Sequence, residues 1–63
     1  MGRMTGKQFK SIIESRNLSQ KAVARSIGIT PQQLSNYLNG TIRELSKSKY
    51  YRLCQELEVN VLF

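Results

Sequence analysis

Sixty-three residues carry ten Lys/Arg against four Asp/Glu, a net charge of +6, with one cysteine and no histidine. That length suits one small domain, residues 1–63, near the lower limit for folding on a single core. A lone cysteine excludes an internal disulfide and, without histidine, the common structural zinc sites, so no metal and no cofactor are expected.

Four helices follow in chain order, which makes the fold class all-α. The first spans about 5–16, where Phe9, Ile12 and Ile13 form one apolar stripe at i, i+3, i+4 while Lys7, Lys10 and Glu14 point elsewhere. Asn17 closes it. Ser19 is placed to cap a second helix through its hydroxyl. Val23, Ala24 and Ile27 form that helix's inner face, Leu18 is expected to fold back onto it, and Gly28 supplies the left-handed stop. The third helix is the most clearly marked. Thr30 caps, Pro31 takes the first helical position, Gln33 completes a capping box, and Ile29 with Leu34 matches a hydrophobic staple. Leu34 and Tyr37 face inward, and Asn39-Gly40 terminates the helix, which at about eight residues is marginal alone and must be held by packing.

A polar connection, 41–46, leads to a fourth helix over about 47–57, with Tyr50, Leu53, Cys54 and Leu57 at i, i+3, i+4, i+7. Tyr37, Tyr50 and Cys54 read as core residues, and Tyr51 lies off the stripe. Asn60 is placed to cap a further turn over 61–63. The apolar Leu57, Val59, Val61, Leu62 and Phe63 crowd this end, which predicts that it packs on the core or is shared with a second copy.

The charge is unevenly spread. Residues 1–52 hold every Lys and Arg with only Glu14 and Glu44, a net +8, whereas residues 53–63 hold Glu56 and Glu58 and no base, a net −2. A polyanion is the natural partner, with nucleic acid ahead of membrane because no basic helix carries a broad apolar face. No apolar run approaches the roughly 20 residues of a membrane span. No signal peptide is visible, Gly6 stands where an N-myristoylation motif needs Ser or Thr, and an unpaired thiol predicts the cytoplasm.

Residues 18–40 concentrate the information. Two short helices joined at Gly28, the second studded with amide side chains, meet the requirement for reading base edges in a DNA major groove. Gln and Asn each offer a donor and an acceptor that match adenine N6 and N7. Gln32 and Asn36, four apart, share one face, and the competing description is an ordinary solvated polar face. Gln33 is divided between base contact and its capping box. Arg43, Lys47 and Lys49 are point charges suited to phosphate. No histidine, nucleophile–base pair, Gly-rich phosphate loop or carboxylate cluster supports catalysis, so the chain is not expected to be an enzyme.

From Phe9 to Phe63 the chain resembles the lambda-repressor-like, or Cro-like, helix-turn-helix DNA-binding domains. The resemblance rests on Leu18-Ser19-Gln20, Ala24, Ile27-Gly28-Ile29-Thr30, Leu34, Asn39-Gly40 and the stretch from Leu53 to Val61. It implies a compact four-to-five-helix domain acting as a homodimer on a palindromic double-stranded operator, in a bacterial or phage-encoded protein on the nucleoid. It further implies that Gln20 touches a phosphate and that Pro31, Gln32, Gln33 and Asn36 stand at bases or adjacent phosphates. Asn39 would donate to the DNA backbone, Arg43, Lys47 and Lys49 would flank the duplex, and Arg3 and Lys7 would reach another phosphate. Two departures stand out. Pro31 replaces a glutamine that several relatives use for adenine, leaving at most apolar contact with a thymine methyl, and Ile13 with Leu38 occupies the place of an Arg–Glu pair that some relatives bury. An apolar pair there avoids charge desolvation.

These readings converge on a transcriptional repressor that dimerises through 57–63, with Leu57, Val59, Val61, Leu62 and Phe63 at the interface. No small-molecule substrate and no effector-sensing domain are expected. The alternative is a protein-interaction or antitoxin-like module on the same scaffold, which the apolar C-terminal end would favour.

Overall fold

Local chemistry at each helix end accounts for the four helices of the computed structural model, which describes residues 4–59. They are α1 (Gly6–Ser15), α2 (Gln20–Ile27), α3 (Pro31–Leu38) and α4 (Lys47–Glu56). Each starts at a hydroxyl residue whose side chain accepts an otherwise unpaired N–H of the first turn: Thr5, Ser19, Thr30 and Ser46. Thr5 and Thr30 form full capping boxes, with Gln8 and Gln33 returning the bond to the cap backbone.

The helix stops share a second device. After α1, α2 and α4 the chain turns through a left-handed residue, Asn17 at φ 54°, Gly28 at φ 81° and Glu58 at φ 55°. The next amide then reaches back to a last-turn carbonyl at 3.0 Å in each case, Leu18 to Ile13, Ile29 to Ala24 and Val59 to Cys54. After α3 the turn is wider: Gly40 takes φ 87° and the Ile42 amide donates to the Asn36 carbonyl at 3.0 Å.

These short helices are held by one cluster. Helix α2 packs on both α3 and α4, and α1 packs on α3. Phe9 and Ile13 of α1 meet Val23, Ala24 and Ile27 of α2, Leu34, Tyr37 and Leu38 of α3, and Tyr50, Leu53 and Cys54 of α4, all buried. The Phe9 ring lies edge-on to Tyr50 with centroids 5.8 Å apart and tilted against Tyr37 at 6.1 Å. The Tyr50 hydroxyl accepts the Met4 amide at 3.0 Å, so the polar tip of this buried ring is satisfied. Gly6 permits a close approach of α1 to α3, because a Cβ there would stand 2.0 Å from the Tyr37 carbonyl oxygen.

Two expectations from the apolar pattern need correction. Leu18 is 40% exposed and stands outside the buried cluster rather than folded back on α2. Leu57 is fully buried within the chain's own core, so its side chain has no surface left for a second copy. It sits at the C-cap of α4, one residue past the helix, and continues the α4 stripe inward. Val59, half-buried, packs against the core margin. The further turn expected over 61–63, with Val61, Leu62 and Phe63 of the proposed interface, lies outside the described residues. Among the described residues no helix is long and apolar enough to cross a membrane.

Candidate nucleic-acid interface

Helix α3 is where the polar side chains gather, and its amides are held in pairs. Its inner face, Leu34, Tyr37 and Leu38, is anchored in the core, which leaves Pro31, Gln32 and Gln33 exposed and Asn36 half-buried on the other side. Pro31 occupies the first position, where its missing N–H removes no helical bond. Gln33 is engaged: its Oε1 accepts the Thr30 amide at 3.1 Å, while its own amide donates to Thr30 Oγ1 at 3.1 Å. Only its Nε2 lies outside that box. Gln32 Nε2 donates to Asn36 Oδ1 at 3.0 Å across one turn, so the two amides expected to face bases touch each other.

The remaining expected contact residues are more dispersed. Gln20 opens α2 and is half-buried next to its cap Ser19. Asn39, the C-cap of α3, has both ends of its amide occupied. Its Oδ1 accepts Lys10 Nζ at 3.2 Å, and its Nδ2 donates to Ser35 Oγ at 3.4 Å. Arg43 is exposed and lines an open hollow of about 640 Å³ with Lys7, between the start of α1 and the loop after α3. Lys47 is the exposed first residue of α4. Lys49 is half-buried; with Gln33 and Gly28 it lines a second hollow of about 370 Å³ between the α2–α3 turn and α4.

Several of the cations also serve helix ends. Carbonyls at a helix C-terminus carry partial negative charge, which a nearby cation stabilises. Helices α3 and α4 have no basic residue in their own last turns. Helix α1 supplies both, Lys10 to the Asn39 amide at the end of α3 and Arg16, whose guanidinium donates to the Leu57 carbonyl at 2.6 Å, at the end of α4. At the end of α2 a methyl group on Gly28 would meet Lys49 Nζ at 3.1 Å and an Arg52 guanidinium nitrogen at 3.6 Å, so α4 returns two cations there. Lys10 and Arg16 were not singled out as end-capping residues from the sequence. Their partners lie 29 and 41 positions away, and no local pattern signals such a bond.

Among the described residues no group of His, Cys, Asp or Glu is placed to hold a metal ion. Tyr37, Tyr50 and Cys54 are buried, as their spacing predicts, and Tyr51 is 44% exposed. Ile13 and Leu38 are both buried, forming an apolar contact region between α1 and α3.

Comparison with curated proteins and with solved structures returned no match. A family profile described as helix-turn-helix matches residues 9–63, which takes in most of α1, all of α2, α3 and α4, and the turn at Gly28. The chain therefore belongs to the Cro-like helix-turn-helix family, whose domains bind DNA in transcriptional regulation and are not enzymes.

Proposed function

We propose that this chain acts as a transcriptional repressor that binds a palindromic double-stranded operator as a homodimer. Helix α3 enters the major groove, with Gln32 and Asn36 at base edges, Gln33 limited to what its Nε2 can donate, and Pro31 against a thymine methyl. Gln20, Asn39, Arg43, Lys47 and Lys49 approach phosphates, and the residues beyond Leu57, namely Val59, Val61, Leu62 and Phe63, join the two copies. Two α3 helices then reach successive grooves about 34 Å apart. Occupying such a site blocks polymerase, which makes repression the simplest outcome.

The observation that supports this most is the bonded pair of exposed Gln32 and half-buried Asn36 on a helix whose other face is locked in the core. Arg43 and Lys47 are exposed, and the chain carries a net charge of +6, which supplies the electrostatic half of the same reading.

Selection of bound sites from random duplexes tests the whole proposal. A palindrome with half-sites about one helical turn apart is expected, together with a 2:1 protein-to-duplex complex in sedimentation. An asymmetric single half-site with a 1:1 complex would overturn the dimer. No binding to any duplex at low salt would overturn DNA reading and return the protein-interaction alternative.

A further inference from the structure

The two amides on the exposed face of α3 do not have equal freedom. Gln32 is exposed, on a side chain with three rotatable bonds. Asn36 is half-buried on a shorter one, and its backbone carbonyl is tied to the Ile42 amide at 3.0 Å. The 3.0 Å bond from Gln32 Nε2 to Asn36 Oδ1 therefore joins the longer, more exposed side chain to the shorter, half-buried one. It also divides the chemistry. A carboxamide that reads adenine needs its oxygen and one amide hydrogen together. Gln32 keeps both, since its nitrogen carries a second hydrogen. Asn36 has its oxygen engaged by Gln32 and presents its Nδ2 donors. Gln33 cannot replace Gln32, because its oxygen is held by the Thr30 amide.

We infer that Asn36 is a positioning residue for Gln32, so that the pair reads DNA as one coupled element and the preference at the Gln32 base pair depends on both side chains. The inference rests on the proposed function and assigns the two residues different work within it. Ordering a long side chain on binding costs rotamer entropy, and a side chain already oriented loses less. Removing water at a DNA surface also strengthens a hydrogen bond that is weak in the free protein. Both effects make Asn36 matter at a base pair it need not touch.

The test is a set of discrimination ratios, the affinity for the selected site divided by that for each single-base-pair variant. They are measured for the wild type, Gln32→Ala, Asn36→Ala, the double variant and Asn36→Asp. Gln32→Ala identifies the Gln32 base pair as the one whose ratio falls. Asn36→Ala is expected to lower that same ratio by about tenfold, with the double variant no lower there than Gln32→Ala alone. Asn36→Asp keeps an oxygen for Gln32 to hold. It is expected to preserve the ratio at that base pair while its negative charge weakens every sequence alike. Alanine favours helix at both positions, and a thermal melt of each variant confirms that it is folded.

Independent losses, each confined to its own base pair and multiplying in the double variant, would overturn the coupling while leaving base reading by α3 intact. Loss of the ratio in Asn36→Asp as complete as in Asn36→Ala would also overturn it. If Gln32→Ala changes no ratio at any base pair, base reading by Gln32 falls and the inference falls with it.

Discussion

A single methyl group at Gly6 would be placed 2.0 Å from the Tyr37 carbonyl oxygen, and that obstacle is backbone that no rotamer change can move. Gly6→Ala is expected to push α1 off α3 and destabilise the fold by about 2 kcal/mol or more, read as a lowered denaturation midpoint. Leu57 gives a contrasting case. It is fully buried at the end of the α4 stripe, so Leu57→Ala is expected to cost about 2–5 kcal/mol even in a dilute, DNA-free sample. A role confined to a dimer interface would leave that midpoint unchanged at concentrations where the chain is monomeric. On the surface, exposed Arg43 stands beside Lys7 over the loop after α3. Arg43→Met is expected to weaken all DNA sequences alike and to lower the slope of log affinity against log salt by about 0.9 for the phosphate it releases. Its thermal midpoint should stay within about 0.5 kcal/mol of the wild type in equivalent stability.

Helices of eight to ten residues do not persist alone, so their ends carry much of the specification. Three of the four stops use the same left-handed turn, yet only one of those three has glycine there. Glu58, at φ 55°, is the least suited of the set. Glu58→Gly is expected to stabilise the protein by up to about 1 kcal/mol, seen as a higher midpoint with unchanged DNA preference. These end devices explain what was readable in advance. Ser19, Thr30, Gln33 and Gly28 act through bonds spanning three to five residues, and such spacing is visible in a linear chain. The i, i+3, i+4 stripe of α4 was equally plain, because a helix presents its own period. Which surface covers a stripe is a different matter. Leu57 was readable as the last member of the α4 stripe and is buried, whereas Leu18 belongs to no stripe and is exposed, because its covering depends on elements distant in sequence. The Lys10–Asn39 and Arg16–Leu57 bonds were hidden for the same reason. At the site, the face shared by Gln32 and Asn36 followed from helical spacing. The direction of the bond between them did not.

Across the whole molecule the positive charge has two tasks. Lys10, Arg16 and Lys49 lie against the carbonyl ends of α3, α4 and α2, so part of the basic surplus supports the fold as well as any polyanion. Of these three, Lys49 is also a proposed phosphate contact, which in our reading links stability and DNA affinity at that side chain. The buried thiol of Cys54 offers a way to measure that link. It is the chain's single cysteine, and its exposure is 0%. An alkylating reagent can reach it only when the core opens, so the labelling rate is a clock for that opening. A duplex that binds only the folded form must slow the clock by a factor of 1 + [L]/Kd. At a hundredfold excess over Kd the expected slowing is about a hundredfold, and an unchanged rate would show that the bound and free proteins open equally often. One sulfur, placed where no chemistry was asked of it, thus becomes a built-in gauge of occupancy.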